Sequence, residues 1–434
     1  MKVHDITQVE SSDSTMLFNE KYGNNSSSII SPKSENEISE ILKEAYHHGK
    51  KVSILAGGTK RSYGGLKETY DLILSLADYK GIVEHTVGDM TITVKAGTTI
   101  SDLQNYLRVH DQMVAIDPSW PDQATIGGVI AANESGTKRM GYGSARDLVI
   151  GLRVAYPDGE IIRTGGKVVK NVAGYDMNKL FIGSMGTLGV ICEVTLKLRP
   201  IPKYESLVLV SVPEEDIEEL KSFAVKIQNS MIEPVSLELV NSSLSKKVVN
   251  REEYTLLIAF EDVENAVHYQ EEWVEKHKPV SAVTKILTLN KAREFWNSFS
   301  NLAPNSLNDK EIEVTKVALK IGSKNMDVMD IMKESQGIHI ENRLDIEAHG
   351  GLGHGISHFT ISGQEEAIKS AIFQLREIVA KKKGYVILKH LPYKLREEMN
   401  VWGDNPSYFF LMEGIKRKVD RRNILNHQRF LGGI

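Results

Sequence analysis

Apolar positions along the chain follow two rhythms, and their alternation sketches the architecture. After a polar, serine-rich stretch over residues 1–27, SSIISP reads as a short strand. Ser34 and Glu37 then make a capping-box pattern ahead of ENEISEILKEAYHHGKK, in which Ile38, Ile41, Leu42 and Ala45 fall on one helical face. VSILAGG, DLILSL and TITVKAG read as strands, VGDM is a turn, and Thr99 caps a helix over ISDLQNYLRVH. Farther on, VVK and GVICEVTLKL read as strands around a short helix and the turn GSMGTLG. Gly183, Gly186 and Gly189 crowd that turn, where glycine supplies positive φ or lets backbone approach something bulky.

Beyond RPIPKY the texture changes. SLVLVSV, a helix over 214–229, VSLELV, YTLLIAF and another helix give β-α-β-β-α order, half of a ferredoxin-like layer. Between Ile312 and Leu391 the theme repeats with VTKVALKI, IHIENRLDIEA, SHFTIS, the helix EEAIKSAIFQLREIVAKKK and GYVILKH. One helix and the turn NILNHQRF close the chain. The predicted class is α+β. Residues 1–27 form a lead-in, 28–202 a first domain, 203–400 a second with an antiparallel sheet covered by helices, and 401–434 a segment returning toward the first.

A length of 434 residues has room for two or three cores. With 41% hydrophobic and 25% charged residues, disordered and collagen-like classes drop out. A net charge of −4 makes no electrostatic case for nucleic acid. No apolar run reaches the roughly 18–20 residues of a membrane-spanning helix, and the first residues lack a signal-peptide pattern. These features predict a cytoplasmic protein. Cys192 is the one cysteine, which excludes an internal disulfide and a cysteine-ligated iron–sulfur cluster in this chain. In GVICEV it reads as a small core residue. KRKVDRR (416–422) ends a helix, where cations suit the dipole; a docking patch for an acidic partner is the other reading.

Three glycine-rich loops hold the candidate binding chemistry. AGGTKRSYGG follows a strand but matches neither GxxxxGK[ST] nor GxGxxG. Its backbone N–H groups around Gly57, Gly58 and Thr59, beside Lys60 and Arg61, make either an anion nest suited to pyrophosphate or a solvated hairpin. The second loop, Asp117 to Leu148, is dense in small residues, and ATIGGVIAAN within it reads as a short helix start. GSMGTLG is the third.

In order and spacing, loop one, TIGGVIAAN and GYDMNKLFIGSMGTLGVI resemble the PCMH-type FAD-binding domain of the vanillyl-alcohol oxidase superfamily, over Ser28 to Pro202. The resemblance implies two α+β subdomains clasping an extended FAD, followed by an α+β cap. By motif, Gly57, Gly58 and Thr59, with Lys60 beside them, would hold the pyrophosphate. Pro118, Thr125, Gly127 and Gly128 would line the flavin side, with Asn133, Ser135 and Gly136 nearby. Gly189, Val190 and Ile191 would meet the adenine end. No histidine sits in the first loop, where relatives with covalent flavin carry theirs, so the FAD is expected to be non-covalent. GGTKRSYGG, KNVAGYD, VWG and NILNHQRF narrow the resemblance to the smaller, E-type FAD-binding subunit of bacterial glycolate oxidase, over most of the chain. In its relatives that subunit works beside a larger paralogous flavoprotein and an iron–sulfur subunit, so both are implied partners, and any membrane association would run through them.

The catalytic paralogues carry an HxGxGNxH-like segment. Here it reads His349-Gly-Gly-Leu-Gly-His354-Gly-Ile356, so His354 stands at the asparagine position and Ile356 replaces the second histidine. No acidic residue completes a metal set with His349, His354 and His358, and no metal is expected. Oxidation of a small 2-hydroxy acid needs a base for the hydroxyl proton while hydride leaves C2 for flavin N5, and a cation for the carboxylate. His349 is the candidate base, and Lys316 and Arg343 are the candidate cations. A stand-alone D-lactate or 2-hydroxy-acid dehydrogenase and a non-catalytic FAD-binding subunit are the alternatives.

Overall fold

The computed structural model describes residues 20–167, 175–307 and 314–434. The predicted strand VVK, and KNVAG of the KNVAGYD motif, lie outside them. Strands β1 (Ile29–Ile30), β2 (Val52–Leu55) and β3 (Leu72–Ser75) form a parallel sheet in the order β1-β3-β2. The helix Glu35–His48 packs Ile38, Leu42 and Ala45 into the core beneath. Ser34 Oγ accepts from the Glu37 amide, as the capping box requires, while the Glu37 carboxylate reaches back to the amide of Lys33. There follow β4 (Ile82–Thr86), β5 (Thr91–Lys95), the short β6 (Gln112–Met113), β7 (Val149–Ala155), β8 (Ile161–Gly165), β9 (Val190–Lys197) and the short β10 (Arg199–Pro200). Five of these make an antiparallel sheet ordered β4-β5-β9-β7-β8. Cys192 lies on β9, fully buried, and burial pushes its thiol up, as expected of a core residue rather than a nucleophile.

The rest of the chain builds one eight-stranded antiparallel sheet from β11 (Tyr204–Val212), β12 (Ser236–Val240), β13 (Tyr254–Asp262), β14 (Val283–Thr288), β15 (Thr315–Gly322), β16 (Asp345–Gly351), β17 (Ile356–Gly363) and β18 (Tyr385–His390). Its order is β14-β11-β13-β12-β16-β17-β15-β18. One face carries Val317, Leu319, Ile346, Ala348, Phe359 and Leu388 into a core shared with the covering helices. Because side chains alternate along a strand, Ala318, Lys320, His349, His358 and Lys389 point the other way.

The structure departs from the sequence pattern at two places. A helix, Ser242–Val249, stands between β12 and β13, where VSLELV and YTLLIAF read as consecutive strands. IHIENRLDIEA is not one strand: Ile338 to Asn342 complete the helix Asp327–Asn342, and β16 starts at Asp345. The I-x-I alternation is deceptive, because Ile338 is buried in register with Ile331, Met332 and Ser335 while Ile340 is 70% exposed. Arg343 closes that helix in the left-handed region, φ 52°, exposed to solvent.

The C-terminal segment packs against the first core. Ile424 and Leu425 are fully buried there, and Asn426 binds the backbone of Val52, Ile54 and Met185. Lys416, the first residue of KRKVDRR, is buried, and its ammonium donates to Thr187 O, Leu425 O and the Asp420 carboxylate.

Candidate active site

Two cavities meet at Thr59 and Lys60. The smaller, about 100 Å³, is lined by Gly57, Gly58, Thr59, Lys60, Thr125, Gly127, Gly128, Gly189 and Ile191. The larger, about 570 Å³, also includes Thr59 and Lys60 and continues past Pro118, Ser135 and Gly136 to His349, His354, His358 and Lys389. The three loops, read apart in sequence, therefore border one continuous cleft. Val190 and Asn133 line neither cavity: Val190 is fully buried in the first core, and Asn133 packs on Gly183 with φ 47°.

Local chemistry shapes the cleft. Gly57 cannot carry a side chain, because a Cβ would stand 1.8 Å from Gln123 O. A Cβ on Gly128 would meet only Thr125 Oγ1, at 3.3 Å, and otherwise project into the cleft. Among the described residues none accepts a hydrogen bond from the amides of Gly58, Thr59 or Lys60. Open backbone and unanswered N–H donors at one end of a long cleft fit an extended cofactor with an anionic middle. The cations of loop one are engaged elsewhere. Arg61 turns inward to Gly23 O and Asn25, and Lys60 Nζ lies 2.6 Å from the Glu134 carboxylate. Asp117, half-buried, accepts from the Gly136 amide, the Thr137 hydroxyl and the Lys138 amide and so ties the two ends of the second loop together.

Glu134 bridges the domains through Lys60 and, at 3.2 Å, Lys389 of β18. Burial pushes its carboxyl up, but the two ammonium groups outweigh burial and hold it down at about 2. A depressed carboxyl stabilises the fold above its unfolded value and loses that contribution as it protonates. Glu134→Gln should therefore melt at a lower temperature than the unaltered chain near neutrality. The gap should close as pH falls from 4.5 toward about 2, which melting curves across that window check.

At the far end of the larger cavity three adjacent strands place His349 (β16), His358 (β17) and Lys320 (β15) in one cross-strand row. The two imidazoles stack with centroids 5.0 Å apart. His349 Nδ1 lies 2.7 Å from Glu238 Oε1 on β12, a carboxylate with 2% side-chain exposure. An ionised carboxylate only accepts, so Nδ1 carries the proton and Nε2 is left as the acceptor of the neutral ring. Burial, then the Lys389 charge, holds His358 well below its ordinary range, so it is neutral. Burial and the Lys389 charge bring Lys320 down to about 8. His354 Nδ1 accepts from the Ile356 amide, which fixes the turn after β16. Among the described residues no group of three His, Cys, Asp or Glu side chains is placed to hold a metal ion.

Lys316 and Arg343 are not brought to His349. Lys316 pairs with Ser362, four residues along β15 from Lys320, or about 13 Å at the strand rise, and neither it nor Arg343 lines either of these two cavities. Glu238 was not foreseen: it lies in a run buried on both faces, SLELV, 111 residues from His349.

Residues 26–165 match the family model for an FAD binding domain. Glycolate oxidase subunit GlcD of Bacillus subtilis is 35% identical over 213 residues, 49% of this chain and 45% of that protein. The chain thus spans less than half the length of that first curated relative. A D-lactate dehydrogenase of Archaeoglobus fulgidus is 26% identical over 413 residues, 92% of this chain and 90% of its own length. The solved 4-ethylphenol oxidase of Gulosibacter chungangensis superposes with TM-score 0.74 at 15% identity, covering 95% of this chain and 90% of that one, a likeness of fold. Similarity to glycolate oxidase subunit GlcE of Escherichia coli extends over 35% of this chain, less than the late motifs VWG and NILNHQRF implied.

Proposed function

We propose that this chain, which carries a PCMH-type FAD-binding domain over residues 26–165, is an FAD-dependent dehydrogenase of a small 2-hydroxy acid, working as one subunit of a glycolate-oxidase-like assembly. The observation that carries the reading is His349, locked by buried Glu238 and facing the same continuous cleft as the glycine loops. Gly58, Thr59, Gly127 and Gly128 would hold the cofactor by backbone, with no covalent link. When bound, the flavin supplies the acceptor for the hydride that leaves substrate C2.

His349 Nε2 takes the hydroxyl proton, so the substrate leaves as a 2-oxo acid. Glu238 keeps the ring in the basic tautomer and stabilises the imidazolium that forms, the role a buried carboxylate plays behind a catalytic histidine. Neutral His358 stacks on His349 and limits its rotation. With one buried cysteine, the chain has no ligands for a cluster of its own, so the electrons would pass to an iron–sulfur partner.

Ile356, at the second histidine position of the catalytic paralogues, favours a second reading, a cofactor-holding subunit without its own chemistry. Turnover of glycolate, D-lactate and D-2-hydroxyglutarate by the FAD-loaded chain with an artificial acceptor separates the two. The proposal expects at least one to turn over; none turning over, alone or with a paralogous partner, contradicts it.

A further inference from the structure

We infer that Arg139 receives the substrate's carboxylate and so selects 2-hydroxy acids over neutral alcohols; this rests on the functional reading above. Six cationic side chains line the larger cavity: Lys60, Arg108, Lys138, Arg139, Arg293 and Lys389. Four are answered by carboxylates. Lys60 and Lys389 share Glu134, Lys138 meets Glu261, and Arg293 meets Glu205. Arg108 is exposed at the end of its helix. Arg139 is half-buried, and among the described residues it has no ion-pair partner.

Its position is built. The guanidinium donates through Nη1 to Ser135 Oγ at 2.9 Å, on the loop that Asp117 clamps. The next residue, Met140, packs on the turn that follows His349, where a Cβ on Gly353 would stand 2.4 Å from Met140 Sδ. Arg139 is thus carried by the first domain to the edge of the second, on the wall that His349 and His354 also line. A guanidinium presents parallel donors that match a planar carboxylate, and an ammonium does not.

Calorimetric titration of the FAD-loaded protein with oxalate, which binds as a carboxylate but has no C2 hydride, tests this. Arg139→Gln should weaken oxalate about 100-fold and Arg139→Lys by less. KM for the oxidised 2-hydroxy acid should rise by a similar factor as oxalate weakens, with kcat changed only several-fold and flavin content retained. Oxalate affinity kept within about threefold in Arg139→Gln overturns the assignment. So does loss of FAD with oxalate affinity kept, which would give Arg139 to the cofactor, and so does failure of the unaltered protein to bind oxalate. Oxalate binding that depends on Arg139 in a protein that oxidises no 2-hydroxy acid defeats the functional reading and leaves the carboxylate site standing.

Discussion

His349→Ala is expected to lower turnover of the 2-hydroxy acid by about 1,000-fold, within the span that general-base catalysis contributes. The ring should leave without unfolding the sheet, since His349 is half-buried and contributes nothing to the apolar core on the helix side of β16. FAD content and melting temperature should therefore stay near those of the unaltered protein. Glu238→Gln separates orientation from basicity. A glutamine keeps the volume but presents no carboxylate to Nδ1, so the tautomer is no longer dictated and the imidazolium loses its counter-charge. Its rate should fall less than in His349→Ala. Steady-state kinetics of the two variants beside the unaltered protein reads the difference. Equal rates in all three proteins would remove His349 from the chemistry.

The second large effect separates two glycines of the same cleft. Gly57→Ala places a methyl 1.8 Å from a backbone oxygen that cannot step aside, and overpacking of that kind costs about 3 kcal/mol. The first domain should melt roughly 6 °C lower or more, with or without FAD. Gly128→Ala meets only a side-chain oxygen at 3.3 Å and sits in the helix Ile126–Ala131, where alanine is favoured by about 1 kcal/mol. Its apo-protein should melt no lower than the unaltered one, yet its FAD affinity should drop about tenfold or more because the methyl enters the cleft. Differential scanning calorimetry with FAD titration distinguishes a packing defect from a blocked site.

Much of the fold is legible because it rests on local rules. Ser34 and Thr99 cap the helices they precede, VGDM turns β4 into β5, and β15, β17 and β18 of the second sheet follow their apolar alternation. The misreading at Ile338 to Asn342 shows the limit of that signal. Two isoleucines two positions apart suit a strand by alternation and a helix by wider context, and only the partners at Ile331 and Met332 decide.

Within the site, the glycine loops announce themselves by composition, and the histidine by motif. The cations do not. Lys316 and Lys320 share one face of VTKVALKI, and nothing in the strand itself tells which lies beside His358; the register with β17 selects Lys320. Glu238 is hidden for a related reason. A buried acid in an apolar run signals a partner, but that partner is 111 residues away and is brought up by antiparallel pairing of β12 with β16. Arg139 lies in the loop read for its small residues, and its lack of a carboxylate partner is visible only when the other half-buried cations of the cavity have been paired.

The cleft is expected to hold a releasable FAD which a 2-hydroxy acid reduces. The direct measurement is the anaerobic absorbance spectrum of the FAD-loaded chain before and after glycolate or D-lactate, followed by denaturation and assay of the supernatant for flavin. The expected result is flavin bands that bleach on adding one of these acids, and free FAD in the supernatant. A chain that takes up no FAD on titration, or whose bound flavin stays oxidised with every 2-hydroxy acid even beside a paralogous partner, would contradict it.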